Sequence, residues 1–483
     1  MLTIKRISAL ALLLICCIIY SCTGDFAEIN TDPNKIEKIS PGTLLNPIIY
    51  NIASFNTSRS DAFTFDIMQV ALPFPSVSGG VHRYDIAESA GNSTWNTYYR
   101  WLINIKEMGV AAEAAQDPNY QAIALTLNSW VYSLLTDCFG DVPMTEAVRG
   151  EELIYQPVFD SQKDIYIKIL ADLEKANTLF APTKTMIYGT DILYGNNVAY
   201  WQRFCNSLRL RILLRVSKRA EMDAYTKIAE IINDPTKYPI FTQNSEAAIL
   251  KVTGTVPNLS PWGRAIDFNT FRVAGSFFID NLNNFNDPRR AKFNTTAKSL
   301  TGVSIGYKGI PSGFTGSDSQ FSYVASGLNN LLVTAPMICV LMSYAEVEFI
   351  KAELAQQGKI TLDAKAAYEK GVKAAIEQWG LVMPADYFTN TTYMTNTAYN
   401  GTLSRIMLQK YYALYFNDYQ QWFEYRRTGF PVLPKGAGMV NNMVMPVRFK
   451  YPTTVATNNS ANYKKAVENM GGDDINTKLY WEK

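Results

Sequence analysis

Apolar residues recur at helical spacing through much of the chain. Residues 122–135 place Ala122, Leu125, Ser129 and Tyr132 along one stripe, and the stripe stops before Gly140. In residues 165–179, Ile165, Ile169, Leu173 and Ala176 follow i, i+4, i+8, i+11, which predicts an amphipathic helix. Residues 201–219 form another, with Leu208, Ile212 and Arg215 or Val216 on successive turns. Residues 343–357 bury Val347, Ile350 and Leu354 and leave Glu346, Lys351 and Gln357 to solvent. After Gly358, residues 363–379 carry Ala364, Tyr368 and Gly371, a spacing that lets a neighbouring helix come close at the small positions. No fixed 34-residue period appears, so the pattern predicts irregular helical hairpins of tetratricopeptide-like form within a mainly α fold.

The pattern breaks between about residues 250 and 335. Thr253-Gly254-Thr255-Val256-Pro257-Asn258, Pro261-Trp262-Gly263-Arg264 and Lys308-Gly309-Ile310-Pro311-Ser312-Gly313-Phe314 read as loop with short strands at most. A loop region this long inside a helical protein is usually functional or disordered, and its aromatic content argues against disorder.

The N-terminus carries a different signal. Lys5 and Arg6 precede an apolar run from Ala9 to Tyr20, too short to span a bilayer and shaped like a secretory signal over residues 1–21. Ile19-Tyr20-Ser21-Cys22, followed by Thr23-Gly24-Asp25, resembles a bacterial lipobox, which makes Cys22 the lipidation site. Residues 22–40 then form a lipid-anchored segment and 41–483 a single body. An ordinary signal peptide with incidental cysteines is the alternative. Several acyl chains on Cys22 would hold the body on a membrane far more firmly than one.

Composition narrows the chemistry. Without Lys5 and Arg6 the 45 basic residues become 43, equal to the 43 acidic ones, so nothing suggests nucleic-acid binding. No second apolar run reaches the length of a transmembrane helix. Cys138, Cys205 and Cys339 sit in apolar contexts and read as buried hydrophobes rather than a disulfide framework. His82 is the only histidine, which excludes a multi-histidine zinc site and leaves one residue for any serine triad. No GxSxG elbow, phosphate loop or CxxC pair occurs, so neither cofactor nor metal is expected. Aromatic residues, by contrast, make up 13% of the chain, with 29 tyrosines and 8 tryptophans. That excess suits a binder of uncharged ligands, although aromatics also fill cores.

Several landmarks occur in order behind the lipobox: Asn30-Thr31-Asp32-Pro33-Asn34, Trp95 with Tyr98-Tyr99, Phe139-Gly140-Asp141-Val142-Pro143 and Asn206-Ser207-Leu208-Arg209-Leu210-Arg211. Asp287-Pro288-Arg289, Ser343-Tyr344-Ala345-Glu346, Gln420-Gln421-Trp422-Phe423-Glu424-Tyr425-Arg426-Arg427 and Arg448-Phe449-Lys450-Tyr451-Pro452 follow. Together they resemble the SusD/RagB family of outer-membrane nutrient-binding lipoproteins, in its SusD-like subgroup. Thr454-Val455 replaces an acidic residue often found there, and Tyr480 stands where tryptophan is common.

The resemblance implies a helical body facing a SusC-like TonB-dependent transporter, anchored in the outer membrane and exposed to the cell exterior. It implies capture without catalysis of an oligosaccharide or, in the RagB branch, a peptide. A surface glycoside hydrolase using two of the glutamates is the competing class. Arg209, Arg211 and Arg215, on an apolar helix, are expected to pair with carboxylates such as Glu346, Glu348, Glu353 and Glu424. Sugar rings stack on flat aromatic faces, and Asn, Asp and Arg bind their hydroxyls. Candidate ligand residues are therefore Trp262 with Arg264, Trp95 with Asn96, Tyr84 with Asp85, Phe74, and Tyr323 or Phe314. For Trp95 a core anchor is the preferred reading, because the family keeps a tryptophan near there beside Tyr98-Tyr99, and His82 reads as a loop residue without special chemistry.

Overall fold

A computed structural model describes residues 39–483. The signal region, Cys22 and the Asn30–Asn34 landmark lie outside the described residues. Helix α1 spans Pro41–Arg59 and continues through a π-helical turn, Ser60–Thr64, into Phe65–Ile67. Then come α2 (Asn92–Ala114), α3 (Pro118–Phe139), α4 (Gln162–Leu179), α5 (Val198–Arg215) and α6 (Ala224–Asn233), packed on their sequence neighbours as hairpins. Local chemistry sets the ends. Asp117 accepts from the backbone N–H of Asn119 and Tyr120 ahead of α3, Ser161 caps α4 and Asn197 caps α5. Gly140 ends α3 at φ 92°, where a Cβ would strike Met470 Sδ at 2.4 Å. The mainly helical architecture matches the sequence pattern. One predicted boundary moves: α5 stops at Arg215, with Val216 already outside helical geometry.

The second half adds α7 (Ser276–Asn284), α8 (Tyr344–Gln356), α9 (Ala364–Glu377), α10 (Leu403–Ala413) and α11 (Gln420–Thr428). Helices α8 and α9 form the hairpin expected from Tyr368 and Gly371. Ser343 caps α8, Asp363 caps α9, and the Phe349 ring lies 3.2 Å from where a Cβ on Gly371 would stand. Three antiparallel strand pairs complete the fold: β1 (Ala71–Pro73) with β3 (Arg272–Ala274), β2 (Ala248–Val252) with β6 (Met337–Met342), and β4 (Lys298–Ser299) with β5 (Tyr323–Val324). The region expected to be loop thus holds a nine-residue helix, α7, which buries Phe278, Ile279 and Leu282.

Arginine–carboxylate pairs tie the helices together in the interior. Arg211 grips Glu346 through two hydrogen bonds of 2.6 and 2.5 Å, and Glu346 is buried rather than turned to solvent as the apolar stripe of residues 343–357 predicts. Glu424 receives Lys410 at 2.7 Å, Arg427 at 2.7 Å and Arg215 at 3.2 Å. Burial alone would raise its carboxyl, but Arg427, Lys410 and Arg215 hold it well below the usual range. Two expected partners differ: Arg209 pairs with Glu174, and Glu353 with Arg427. Glu348 is taken by Lys351 on its own helix. Cys138, Cys205 and Cys339 are buried and unpaired.

Among the described residues no helix is long and apolar enough to cross a membrane.

Candidate ligand-binding face

Strands β1 and β3 carry Leu72 and Val273 into a small satellite core with Ile310 and Ala325, separate from the main one. Four half-buried rings pack over it: Phe74, Phe314, Phe321 and Tyr323. Phe321 stands at the centre, edge-to-face with Phe314 at 4.9 Å and within 6.3 Å of Phe74 and 6.0 Å of Tyr323. Cations cover two of them, Arg83 over Phe314 at 5.7 Å and Lys308 over Tyr323 at 4.0 Å. The Tyr323 hydroxyl donates to the Gly309 carbonyl, and the Ser76 N–H donates to Asp318.

The segment before β3 joins this cluster to a second group of rings. Trp262 is half-buried and packs against Phe268 at 5.4 Å and Phe416 at 6.1 Å. Phe271 is 73% exposed, and its backbone is left-handed at φ 60°. A bulky residue in that conformation is strained, and such strain concentrates at functional positions. The Phe271 carbonyl accepts from the Phe74 N–H at 2.8 Å, so a backbone hydrogen bond ties the segment carrying Trp262 and Phe271 to the first ring group. Between Trp262 and Phe271 in the sequence, Arg264 is exposed, and its fork is filled by Asp267 at 2.6 and 3.2 Å.

The structure therefore brings Phe74 and Tyr323 together, and sets Trp262 and Arg264 on the adjoining segment. It places the other sequence candidates elsewhere. Tyr84 is buried, ends a short 3-10 turn at φ 65°, and leaves only Asp85 at the surface. Burial raises the Tyr84 phenol above its ordinary range. His82 is also buried; burial, Arg83 and Arg272 push it down to about 4, so it is neutral at physiological pH. Trp95 is 9% exposed and caged by Tyr99, Phe139, Phe159 and Tyr451, while Asn96 on the same helix faces solvent. Trp95 forms part of the wall of a separate cavity of about 250 Å³ with Tyr155, Asn458 and Asn459. Sequence reasoning missed Phe271 and Phe321. Neither carries a local signal, because the positive φ of Phe271 and the ring contacts of Phe321 with Phe74, Phe314 and Tyr323 arise only in the folded chain.

On the helical side, a groove of about 600 Å³ runs between α2, α3 and α4. Leu102, Ile105, Leu125 and Tyr132 make its floor, and Lys106, Arg149 and Lys175 are among its charged residues.

A family model described as starch-binding and associating with the outer membrane matches residues 33–452. The fold superposes on a SusD homologue from Bacteroides fragilis with a TM-score of 0.78 and 24% identity, covering 92% of this chain and 100% of that one. An outer-membrane protein from Bacteroides vulgatus, described as involved in nutrient binding, gives 0.78 and 25% over the same shares. A chitin-binding SusD homologue from Flavobacterium johnsoniae gives 0.75 and 20%, covering 92% of this chain and 98% of that one. Comparison with curated proteins finds no match.

Proposed function

This chain belongs to the SusD-like family of starch-binding, outer-membrane-associating proteins, and on that premise we propose that it captures a neutral oligosaccharide for a SusC-like TonB-dependent transporter. The observation that carries the ligand reading is the set of rings along residues 262–274, where an exposed Phe271 and a half-buried Trp262 offer aromatic surface to sugar C–H groups. Asp267 neutralises Arg264 beside them. Chitin binding by the Flavobacterium homologue and the starch-binding description of the family favour a glycan over a peptide. Phe74, Phe321 and Tyr323 extend the face beyond a single sugar ring.

The reading is of capture without cleavage. A glycosidase needs two carboxyl groups facing one cleft, whereas Glu346, Glu353 and Glu424 are spent on buried arginines and a lysine. The transporter meets the helical groove between α2, α3 and α4, whose apolar residues suit a protruding segment. Lipid on Cys22 holds the body at the outer membrane, facing the exterior.

Calorimetric titration of the full chain with chitohexaose, maltoheptaose and a mixed oligopeptide tests this. The expected result is binding to one glycan class, lost in Trp262→Ala, with no change in the glycan recovered. Shortened glycan would overturn the non-catalytic reading, and binding to peptide alone would overturn the glycan reading.

A further inference from the structure

Trp262 and Phe271 sit on a segment with little regular structure of its own: four residues of helix at Ile266–Asn269 and the three of β3. Two rings nine positions apart on such a stretch need an anchor if their spacing is to be fixed. The residue directly after Phe271 supplies one. Arg272 is half-buried, and its guanidinium lies 2.5 Å from Asp66 Oδ1 and 3.3 Å from Asp61 Oδ1.

The two acids owe their placement to the π-helical turn at Ser60–Thr64. In a regular α-helix residues five apart lie about 140° apart around the axis, on different faces. Widening the turn to i→i+5 spacing brings positions 61 and 66 onto the same side, towards Arg272. The first ring reaches the same turn by packing: Trp262 lies 6.1 Å from Phe416, and Phe416 lies 5.2 Å from Phe65, the neighbour of Asp66. Burial raises the Asp61 carboxyl, and Arg272 lowers it. Arg272 thus reaches Phe271 through the backbone and Trp262 through Asp66, Phe65 and Phe416. Its Nε is buried without a hydrogen-bond partner, so the ion pairs carry the holding force.

We propose that Arg272 is a positioning residue for the ligand: by bridging Asp61 and Asp66 it fixes the Trp262 and Phe271 rings relative to each other. The inference rests on the reading of these rings as the ligand face.

The titratable and charged groups around the bridge are Asp61, Asp66, His82, Arg83 and Tyr415. His82 stays neutral down to about pH 4, and burial keeps the Tyr415 phenol uncharged. Asp66 is pushed up to about 6, chiefly by burial, against the pull of Arg272. Protonation of Asp66 below pH 6 removes the bridge's stronger arm, so affinity should fall from pH 7 to pH 5. Stability should respond in the opposite sense. A carboxyl whose folded value lies above its unfolded one favours the folded state when protonated, and that contribution is lost as pH rises through about 6. A merely structural arginine would move affinity and stability together.

The test uses the full chain with chitohexaose and maltoheptaose as probes, measuring affinity by calorimetry and melting by circular dichroism. Arg272→Met should weaken binding about tenfold or more while the chain still melts cooperatively, and Arg272→Lys should restore part of it. Asp66→Asn should bind weakly at pH 7 and show no further loss at pH 5. Arg272→Met that binds like the wild type, while Trp262→Ala does not bind, would leave the ligand face standing and overturn the role of Arg272. Unchanged binding in Trp262→Ala would overturn the underlying reading instead. If Arg272→Met fails to fold, Asp66→Asn decides: wild-type affinity at pH 7 with an unaltered pH profile overturns the proposal.

Discussion

Helices α5, α8, α10 and α11 and the stretch 262–271 both use arginine–carboxylate pairs, but at different depths and with different numbers of partners. In the helical interior Arg427 meets Glu353 and Glu424, which in turn meets Lys410 and Arg215, all of them buried. On the loop segment Arg264 meets Asp267 alone and remains 76% exposed. A buried network is costly to break because each lost partner strands another charge out of water, whereas an exposed pair is screened and worth little. The helical side is therefore held to one arrangement, whereas the stretch around Arg264 carries exposed rings and is anchored next to it, where Arg272 meets Asp61 and Asp66.

The sharpest break of this comparison is Arg427→Met. It strands Glu353, takes one of three partners from Glu424, and should cost about 3–5 kcal/mol of unfolding free energy in a denaturant titration. Asp267→Asn in the loop should stay within about 0.5 kcal/mol in the same titration. Next in size, Gly371→Leu drives a side chain into the Phe349 ring and should cost about 1–3 kcal/mol, separating α8 from α9. Phe271→Asn goes the other way. Asparagine tolerates the left-handed backbone, so stability should hold or rise by up to about 1 kcal/mol, while glycan affinity falls about tenfold. The smallest effect concerns pH. Burial pushes the Asp418 carboxyl up to about 6, against Arg211 and hydrogen bonds from Gln420 and the Tyr419 N–H. Its stabilising contribution is complete below the unfolded value near 4 and fades as pH rises through 6. Asp418→Asn should flatten that part of the change in unfolding midpoint between pH 5 and pH 7.

The same contrast governs what the sequence alone could reveal. Helices with caps and an apolar stripe were legible, such as α8 behind Ser343 and α9 behind Asp363, because capping and periodicity act within a few residues. Ion-pair partners were legible only in part. Arg211 with Glu346 and Arg215 with Glu424 match expectation, but Glu353 goes to Arg427 and Arg209 to Glu174, since helix packing chooses which side chains meet. Helix α7 was hidden by its surroundings: three buried apolar residues in nine, among glycine and asparagine, look like loop. On the loop side, Trp262 was visible from its proline and glycine neighbours. Phe271 was not, because no sequence rule places phenylalanine at positive φ. Trp95 shows the reverse difficulty, an aromatic with polar neighbours whose ring is caged by four others.

The most direct test of the central claim is hydrogen exchange on the full chain with and without the glycan that binds it. Ligand should slow exchange in residues 253–275 and 308–324 and leave residues 102–149, around the helical groove, unchanged. Protection centred on residues 102–149, with none in the loop segment, would contradict the assignment of the ligand to the loop face.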